Sequence, residues 1–137
     1  MAFYDDFGRR IAVTDALSNT THTAYDVFGR MIAQWGATYP VAYEYDDSGR
    51  MTAMLTYRGT NVIADLSSFS IFHSQFDRTA WQYDPSTGLL TNKLYADGNG
   101  TANTYTPYGR LASRTWARGV VTEYIYDTLG QLTSINY

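Results

Sequence analysis

Polar and apolar positions alternate in short runs that each end at a tyrosine. In Thr122-Glu123-Tyr124-Ile125-Tyr126 the threonine and tyrosines alternate with Glu123 and Ile125, the period-two pattern of a strand with two unlike faces. Val41-Ala42-Tyr43-Glu44-Tyr45 repeats it, and Thr79-Ala80-Trp81-Gln82-Tyr83 keeps it with Trp81 in place of a tyrosine. Behind the last strand stands Asp127-Thr128-Leu129-Gly130, then Gln131-Leu132-Thr133. Aspartate at the first turn position accepts from backbone N–H two residues on, and glycine at the fourth takes the left-handed conformation that closes a three-residue hairpin loop. The pattern predicts strand, turn, strand. With that loop, Asp127 sits opposite Gln131 and Tyr126 opposite Leu132, and Gly29, Gly49, Gly109 and Gly130 have positive φ.

The same unit recurs along the chain. Tyr4-Asp5-Asp6-Phe7-Gly8-Arg9-Arg10-Ile11 is the first copy, Tyr25-Asp26-Val27-Phe28-Gly29-Arg30-Met31 the second and Tyr45-Asp46-Asp47-Ser48-Gly49-Arg50-Met51 the third. A fifth, Tyr105-Thr106-Pro107-Tyr108-Gly109-Arg110-Leu111, loses the aspartate, and Tyr126, Asp127 and Gly130 mark the sixth. Arg10 interrupts the apolar position six residues after the tyrosine, a role that Ile11 is expected to take. The fourth copy, Tyr83-Asp84-Pro85-Ser86-Thr87-Gly88-Leu89-Leu90, sets glycine one place later, which leaves Tyr83 facing either Leu89 or Leu90. Pro85 suits the second position of a type I turn.

Turn residues also punctuate the connections, at Ser18-Asn19, Gly36-Ala37, Arg58-Gly59-Thr60, Asp97-Gly98-Asn99-Gly100 and Arg118-Gly119. Each unit is thus a hairpin joined to the next. We expect one repeat region over 1–137, with units at about 4–24, 25–44, 45–82, 83–104, 105–125 and 126–137. The third holds a degenerate copy or an insertion near 60–78. Strands at 61–66 and 70–73, an irregular excursion, or a short helix from Asp65 all fit there. A period near 20 residues signals a repeat architecture in which neighbours bury what one unit cannot.

Composition sharpens this picture in three ways. Thirteen tyrosines among 137 residues favour sheets whose rings pack while their hydroxyls reach water or backbone. A net charge of −3 and the lack of a basic run argue against a nucleic-acid footprint. The absence of cysteine excludes disulfides and thiolate metal sites. No signal peptide or membrane-spanning apolar run is visible, and the chain reads as an excerpt of a longer protein.

The string Tyr-Asp-x-x-Gly-Arg-[Leu/Met] resembles the YD-repeat, or rearrangement hot-spot (RHS), family. The segments from Leu94 to Gly100 and from Arg110 to Gly119 also look like its bacterial members. The resemblance implies an all-β fold of tandem antiparallel hairpins forming a curved or spiralling sheet, an arc of a repeat shell. It implies large secreted or cell-surface proteins, among them bacterial polymorphic toxins, whose shells enclose a C-terminal toxin domain. The self-cleaving aspartate segment of toxin members has no match here. The expected role is a non-catalytic structural segment, with neighbouring repeats as partners beside an enclosed toxin domain or a surface carbohydrate. No cofactor, nucleic acid or membrane span is expected.

Candidate chemistry is sparse. The ladder Tyr43, Tyr45, Trp81, Tyr83, Tyr105, Tyr124 and Tyr126 offers either cross-strand packing or a stacking surface for sugars, and packing is the plainer reading. Asp26 with Arg30 and Asp46 with Arg50 read as cross-strand ion pairs beside their turns, or as a repeated anion site. His22 and His73 stand without partners at metal-ligand spacing. Asp97-Gly98-Asn99-Gly100 resembles part of a calcium loop, lacks the later carboxylates, and reads as a hairpin turn. Asn19-Thr20-Thr21 and Asn99-Gly100-Thr101 have the form of glycosylation acceptors. No phosphate loop, nucleophile elbow or catalytic carboxylate pair is present.

Overall fold

A computed structural model describes residues 1–57 and 76–137. The expected connection at Arg58, the alternatives for 61–73 and His73 lie outside the described residues. The described residues form twelve strands and no helix, and the order of strands in the sheet is the order of the chain. Two compact units divide them, Met1–Arg78 and Thr79–Tyr137.

In the N-terminal unit, β1 (Ala2–Tyr4), β2 (Arg10–Thr14), β3 (Thr20–Tyr25), β4 (Met31–Gly36), β5 (Val41–Tyr45) and β6 (Met51–Tyr57) pair antiparallel in succession. β7 (Phe76–Tyr83) begins at the end of this unit. In the C-terminal unit β7 pairs with β8 (Leu90–Leu94), followed by β9 (Gly100–Tyr105), β10 (Leu111–Thr115), β11 (Val121–Tyr126) and β12 (Leu132–Asn136). The fold is the expected run of tandem antiparallel hairpins.

Loop length decides the register. Tyr45 lies opposite Met51, Tyr126 opposite Leu132 and Tyr83 opposite Leu90, so the extra loop residue in the fourth copy is absorbed before the strand resumes. Tyr4 lies opposite Arg10, which corrects the expectation that Ile11 takes that place. The three-residue loop counts positions, and a charged side chain at the edge does not shift it. Gly29, Gly49, Gly109 and Gly130 have φ of 81°, 81°, 78° and 81°. The loops at the opposite strand ends share the geometry: Asp15 N–H donates to Asn19 O, Tyr95 N–H to Asn99 O and Trp116 N–H to Val120 O. In the first of these Ser18 adopts the left-handed conformation, with φ 66°.

Every motif hairpin carries a bulge that alternation alone does not reveal. One residue past the partner of the tyrosine is left without an opposite number: Ile11, Ile32, Thr52, Thr91, Ala112 and Thr133. A bulge strengthens the local right-handed twist and leaves a ladder carbonyl to be satisfied otherwise. Thr91 and Thr133 do so, donating their hydroxyls to Gln82 O and Ile125 O at 3.1 Å.

The two units bury different kinds of residue. In the N-terminal unit Ala24, Ala33, Ala42 and Leu55 lie opposite one another across β3 to β6. Ala33, Ala42, Ala53, Leu55 and Trp35 form the buried cluster there, with Ala53 fully inaccessible. That row occupies the face away from Tyr25 and Tyr45, since side chains alternate along a strand. In the C-terminal unit Ala80 is buried on the face away from Tyr83, and Asn103 and Thr122 are buried on the face that carries Tyr105 and Tyr126.

Candidate functional site

The motif turn is built around one carboxylate. Asp26 Oδ1 accepts from the N–H of Phe28 and of Arg30, both at 2.9 Å, and its Oδ2 accepts from Arg30 Nε at 2.6 Å. Asp5 holds Phe7 N–H, Arg9 N–H and Arg9 Nε in the same way, and Asp46 holds Ser48 N–H, Arg50 N–H and Arg50 Nε. One aspartate oxygen therefore accepts from two backbone N–H groups of the turn, and the other is left for the arginine. Burial opposes ionisation at Asp5 and Asp26, yet the donors from Arg9 or Arg30 outweigh it and hold both carboxyls below their ordinary 3.8. At Asp46 the Arg50 N–H is the foremost cause of the same lowering.

Arg9 and Arg30 reach beyond their own hairpins. Arg9 Nη1 donates to Asp26 O at 3.0 Å and Arg30 Nη1 to Asp46 O at 3.2 Å, the carbonyl at the head of the following turn. Their guanidinium carbons lie 5.0 and 4.7 Å from the ring centroids of Tyr25 and Tyr45, within cation–π range. The tyrosines bond in the other direction. Tyr25 Oη donates to Arg10 O at 3.2 Å and Tyr45 Oη to Met31 O at 2.8 Å. Burial raises the Tyr45 phenol, with Tyr43 adding to the effect.

In the C-terminal unit the backward bonds persist and the ion pairs do not. Tyr105 Oη donates to Leu90 O at 2.7 Å and Tyr126 Oη to Leu111 O at 2.8 Å. Asp84 turns its carboxylate on Ser86 N–H, Thr87 N–H and the Thr87 hydroxyl. Thr106 stands in for aspartate with one weaker bond, from Arg110 N–H at 3.2 Å, and Asp127 accepts from Leu129 and Gln131 N–H. Arg110, without a carboxylate in its turn, lies over Gly130, 6.0 Å from the Tyr126 ring.

The ladder residues are therefore neither deeply buried nor open: Tyr43, Tyr45, Trp81, Tyr83, Tyr105, Tyr124 and Tyr126 are all half-buried. The exposed rings lie elsewhere. Phe7, Phe28 and Tyr108 at the motif turns are 83%, 79% and 85% exposed. His22 stacks on Trp35 with centroids 5.4 Å apart, and no cluster of metal-binding side chains occurs among the described residues. Asp97 accepts from Asn99 N–H and Asn99 Nδ2, a turn arrangement as expected. Sequence reasoning paired Arg30 with Asp26 and Arg50 with Asp46, did not pair Arg9 with Asp5, and missed the second partners of Arg9 and Arg30, 17 and 16 residues away. The recurrence of tyrosine and arginine at one fixed interval was the signal for those partners.

Hairpins in series, each hydrogen-bonded by side chains to the one before and the one after, define a β-hairpin repeat protein. Residues 4–34 match the RHS Repeat family. The chain belongs to this RHS, or YD-repeat, family. It is 32% identical over 124 residues to two proteins of Dickeya dadantii (strain 3937), probable deoxyribonuclease RhsA and probable deoxyribonuclease RhsB. Each match takes in 85% of the chain, which spans 8% of either relative's length. Its fold is also that of a stretch of the TcdB2-TccC3-Cdc42 crystal structure, with a TM-score of 0.69 at 20% identity over 98% of this chain and 7% of that one.

Proposed function

We propose that this chain is a non-catalytic length of wall in a large secreted or cell-surface RHS protein, where it encloses or presents a toxin or effector domain. The observation that carries this reading is the two-way stitching of consecutive hairpins by Tyr25, Tyr45, Arg9 and Arg30, which spends the motif's polar groups on structure. On the same reading Tyr4, Asp5, Gly8, Tyr83, Asp84, Gly88, Tyr105, Gly109, Arg110, Tyr126, Asp127 and Gly130 serve as the repeat motif. The units are those beginning at Tyr4, Tyr25, Tyr45, Tyr83, Tyr105 and Tyr126. Two relatives named as probable deoxyribonucleases support a toxin or effector as the passenger, that activity being a property of proteins of which this chain spans 8%. The alternative, a carbohydrate-binding face made by the tyrosine ladder, is disfavoured because three of its tyrosines, Tyr45, Tyr105 and Tyr126, commit their hydroxyls to backbone carbonyls.

The test uses the full-length protein encoding this segment. Combining Tyr25→Phe, Tyr45→Phe, Arg9→Ala and Arg30→Ala should expose the passenger domain to limited proteolysis at protease concentrations that leave the parent protein untouched. A passenger equally sensitive in both proteins would overturn enclosure.

A further inference from the structure

Phe7 and Phe28 hold the same place in successive motif turns of the N-terminal unit, and neither is covered by the sheet. Each lies against the arginine of its own hairpin, with the ring centroid 5.1 Å from Arg9 Cζ or Arg30 Cζ. Two like clefts result. One of about 440 Å³ has Phe7, Arg9, Tyr25 and Phe28 in its lining, and the next, of about 430 Å³, has Phe28, Arg30 and Tyr45. Phe28 is the wall they share.

The clefts follow one another at the hairpin repeat, two strands or about 9 to 10 Å. A ligand that fills both must present a side chain on one side at that interval. An extended β-strand returns to the same side about every 6.6 Å and misses it. A polyproline II helix has three residues per turn at about 3.1 Å each, so every third side chain recurs on one side at about 9.3 Å. Its carbonyls make no internal hydrogen bonds, unlike those of an α-helix. Arg9 and Arg30, each with two N–H groups spent on the hairpins, keep others to donate to such carbonyls. Charge adds a second constraint. Asp6 and Asp47, exposed at the two turns that flank the pair of clefts, take part in no ion pair or side-chain hydrogen bond among the described residues. They stand two hairpin repeats apart, the span of about six polyproline residues.

We infer that the motif-turn edge of the N-terminal unit docks a proline-rich segment of a partner protein in the polyproline II conformation. Apolar side chains three residues apart enter the two clefts, and a lysine or arginine at either end meets Asp6 and Asp47. Aromatic-walled grooves suit such a segment because its conformation is already fixed and little entropy is lost on docking.

Fluorescence anisotropy of the labelled peptide Lys-Leu-Pro-Pro-Leu-Pro-Lys, titrated with the 137-residue chain, tests this. The comparators are the same peptide with glycine for every proline and with glutamate for both lysines. The parent peptide should bind saturably, about tenfold or more tighter than either comparator, and more weakly as salt rises. Phe28→Ala, at an exposed position, should weaken binding by about tenfold or more without disturbing the fold. Asp47→Asn should weaken it severalfold and flatten its salt dependence, while Leu129→Ala, at the matching turn position of the C-terminal unit, leaves it unchanged. Absence of saturable binding, a glycine peptide as tight as the parent, a tighter glutamate peptide, or an unaffected Phe28→Ala variant would each overturn the proposal. Self-association of the chain that Phe28→Ala abolishes would also overturn it, giving the clefts to a second copy. So would binding by the chain but not by the full-length protein encoding it, which would give them to another segment of the parent.

Discussion

The N-terminal unit closes its motif turns with Asp5–Arg9, Asp26–Arg30 and Asp46–Arg50 ion pairs, and the C-terminal unit closes its own with none. Both keep the same positive-φ glycine, the same bulge and the same backward tyrosine bond. The ion pair is thus dispensable to the hairpin. Its loss changes what the arginine does: Arg30 is shared between the Asp26 carboxylate of its own turn and the Asp46 carbonyl of the next, whereas the Arg110 guanidinium lies against the following hairpin. Burial divides the units as well. The N-terminal unit covers a row of alanines on the face away from its motif tyrosines, whereas the C-terminal unit covers Ala80 there and the hydrogen-bonded Asn103 and Thr122 on the face of its tyrosines.

The sharpest way to separate the units is to enlarge a side chain at one site that both possess. Ala53, opposite Glu44, has no accessible surface, and Ser134, opposite Ile125, holds the same place in the last hairpin but is only half-buried. Ala53→Leu should cost about 1 to 3 kcal/mol through overpacking, and Ser134→Leu within about 0.5 kcal/mol. Urea unfolding of the two variants measures the difference. Equal losses would erase the distinction in burial.

Valine at Gly49 or at Gly130 should be alike in effect, each destabilising by more than about 1 kcal/mol because a β-branched residue resists positive φ. Around Gly49 the nearest obstacle is Arg30 Nη1 at 3.8 Å, and at Gly130 it is the movable end of Arg110. Backbone strain, common to both, should therefore dominate. A Gly130 variant far worse than its counterpart would show instead that Arg110 is anchored.

Removing the phenolic hydroxyl probes the link that the units share. Tyr45→Phe and Tyr126→Phe should each lose about 0.5 to 1.5 kcal/mol, measured by the same unfolding curves. A clear loss in one unit only would make the link local to it.

The smallest effect is that of acid. Asp5, Asp26 and Asp46 in the N-terminal unit, and Asp84 and Asp97 in the other, are lowered below 3.8 by the donors described, and Asp15 is lowered by the Asn19 side-chain amide and the N–H groups of Asn19 and Leu17. A carboxyl depressed on folding contributes stability that is complete above its unfolded value and lost as pH falls through the folded one. Carboxyl titration by NMR should place all six below 3.8, and acid should loosen the N-terminal hairpins at least as early as the others. A titration of Asp26 at its ordinary value would remove the carboxylate from the account of the turn.

The turns and their register were legible because Asp-x-x-Gly is local chemistry: Tyr45 meets Met51 and Tyr126 meets Leu132 as loop length demands. The bulges were not, since Ile32, Thr52 and Thr133 look like ordinary members of an alternating strand. The buried alanine face was not read from the sequence, for a related reason. Thirteen tyrosines draw attention to one side of the strands, whereas small Ala33, Ala42 and Ala53 permit the closest packing on the other. The arginine's reach to Asp46 O needed three-dimensional adjacency between hairpins, which no turn rule supplies.

The backward direction of the tyrosine bonds has a meaning in time. A chain leaving the ribosome presents Tyr45 some 14 residues after Met31, whose carbonyl it seals, and Tyr126 15 residues after Leu111. Each finished hairpin is locked by the next few residues to be synthesised, before their own turn exists. Such contacts span short stretches of sequence and close early. The sheet can be laid course by course, each new tyrosine setting the hairpin before it, with no keystone awaited from the far end of the chain.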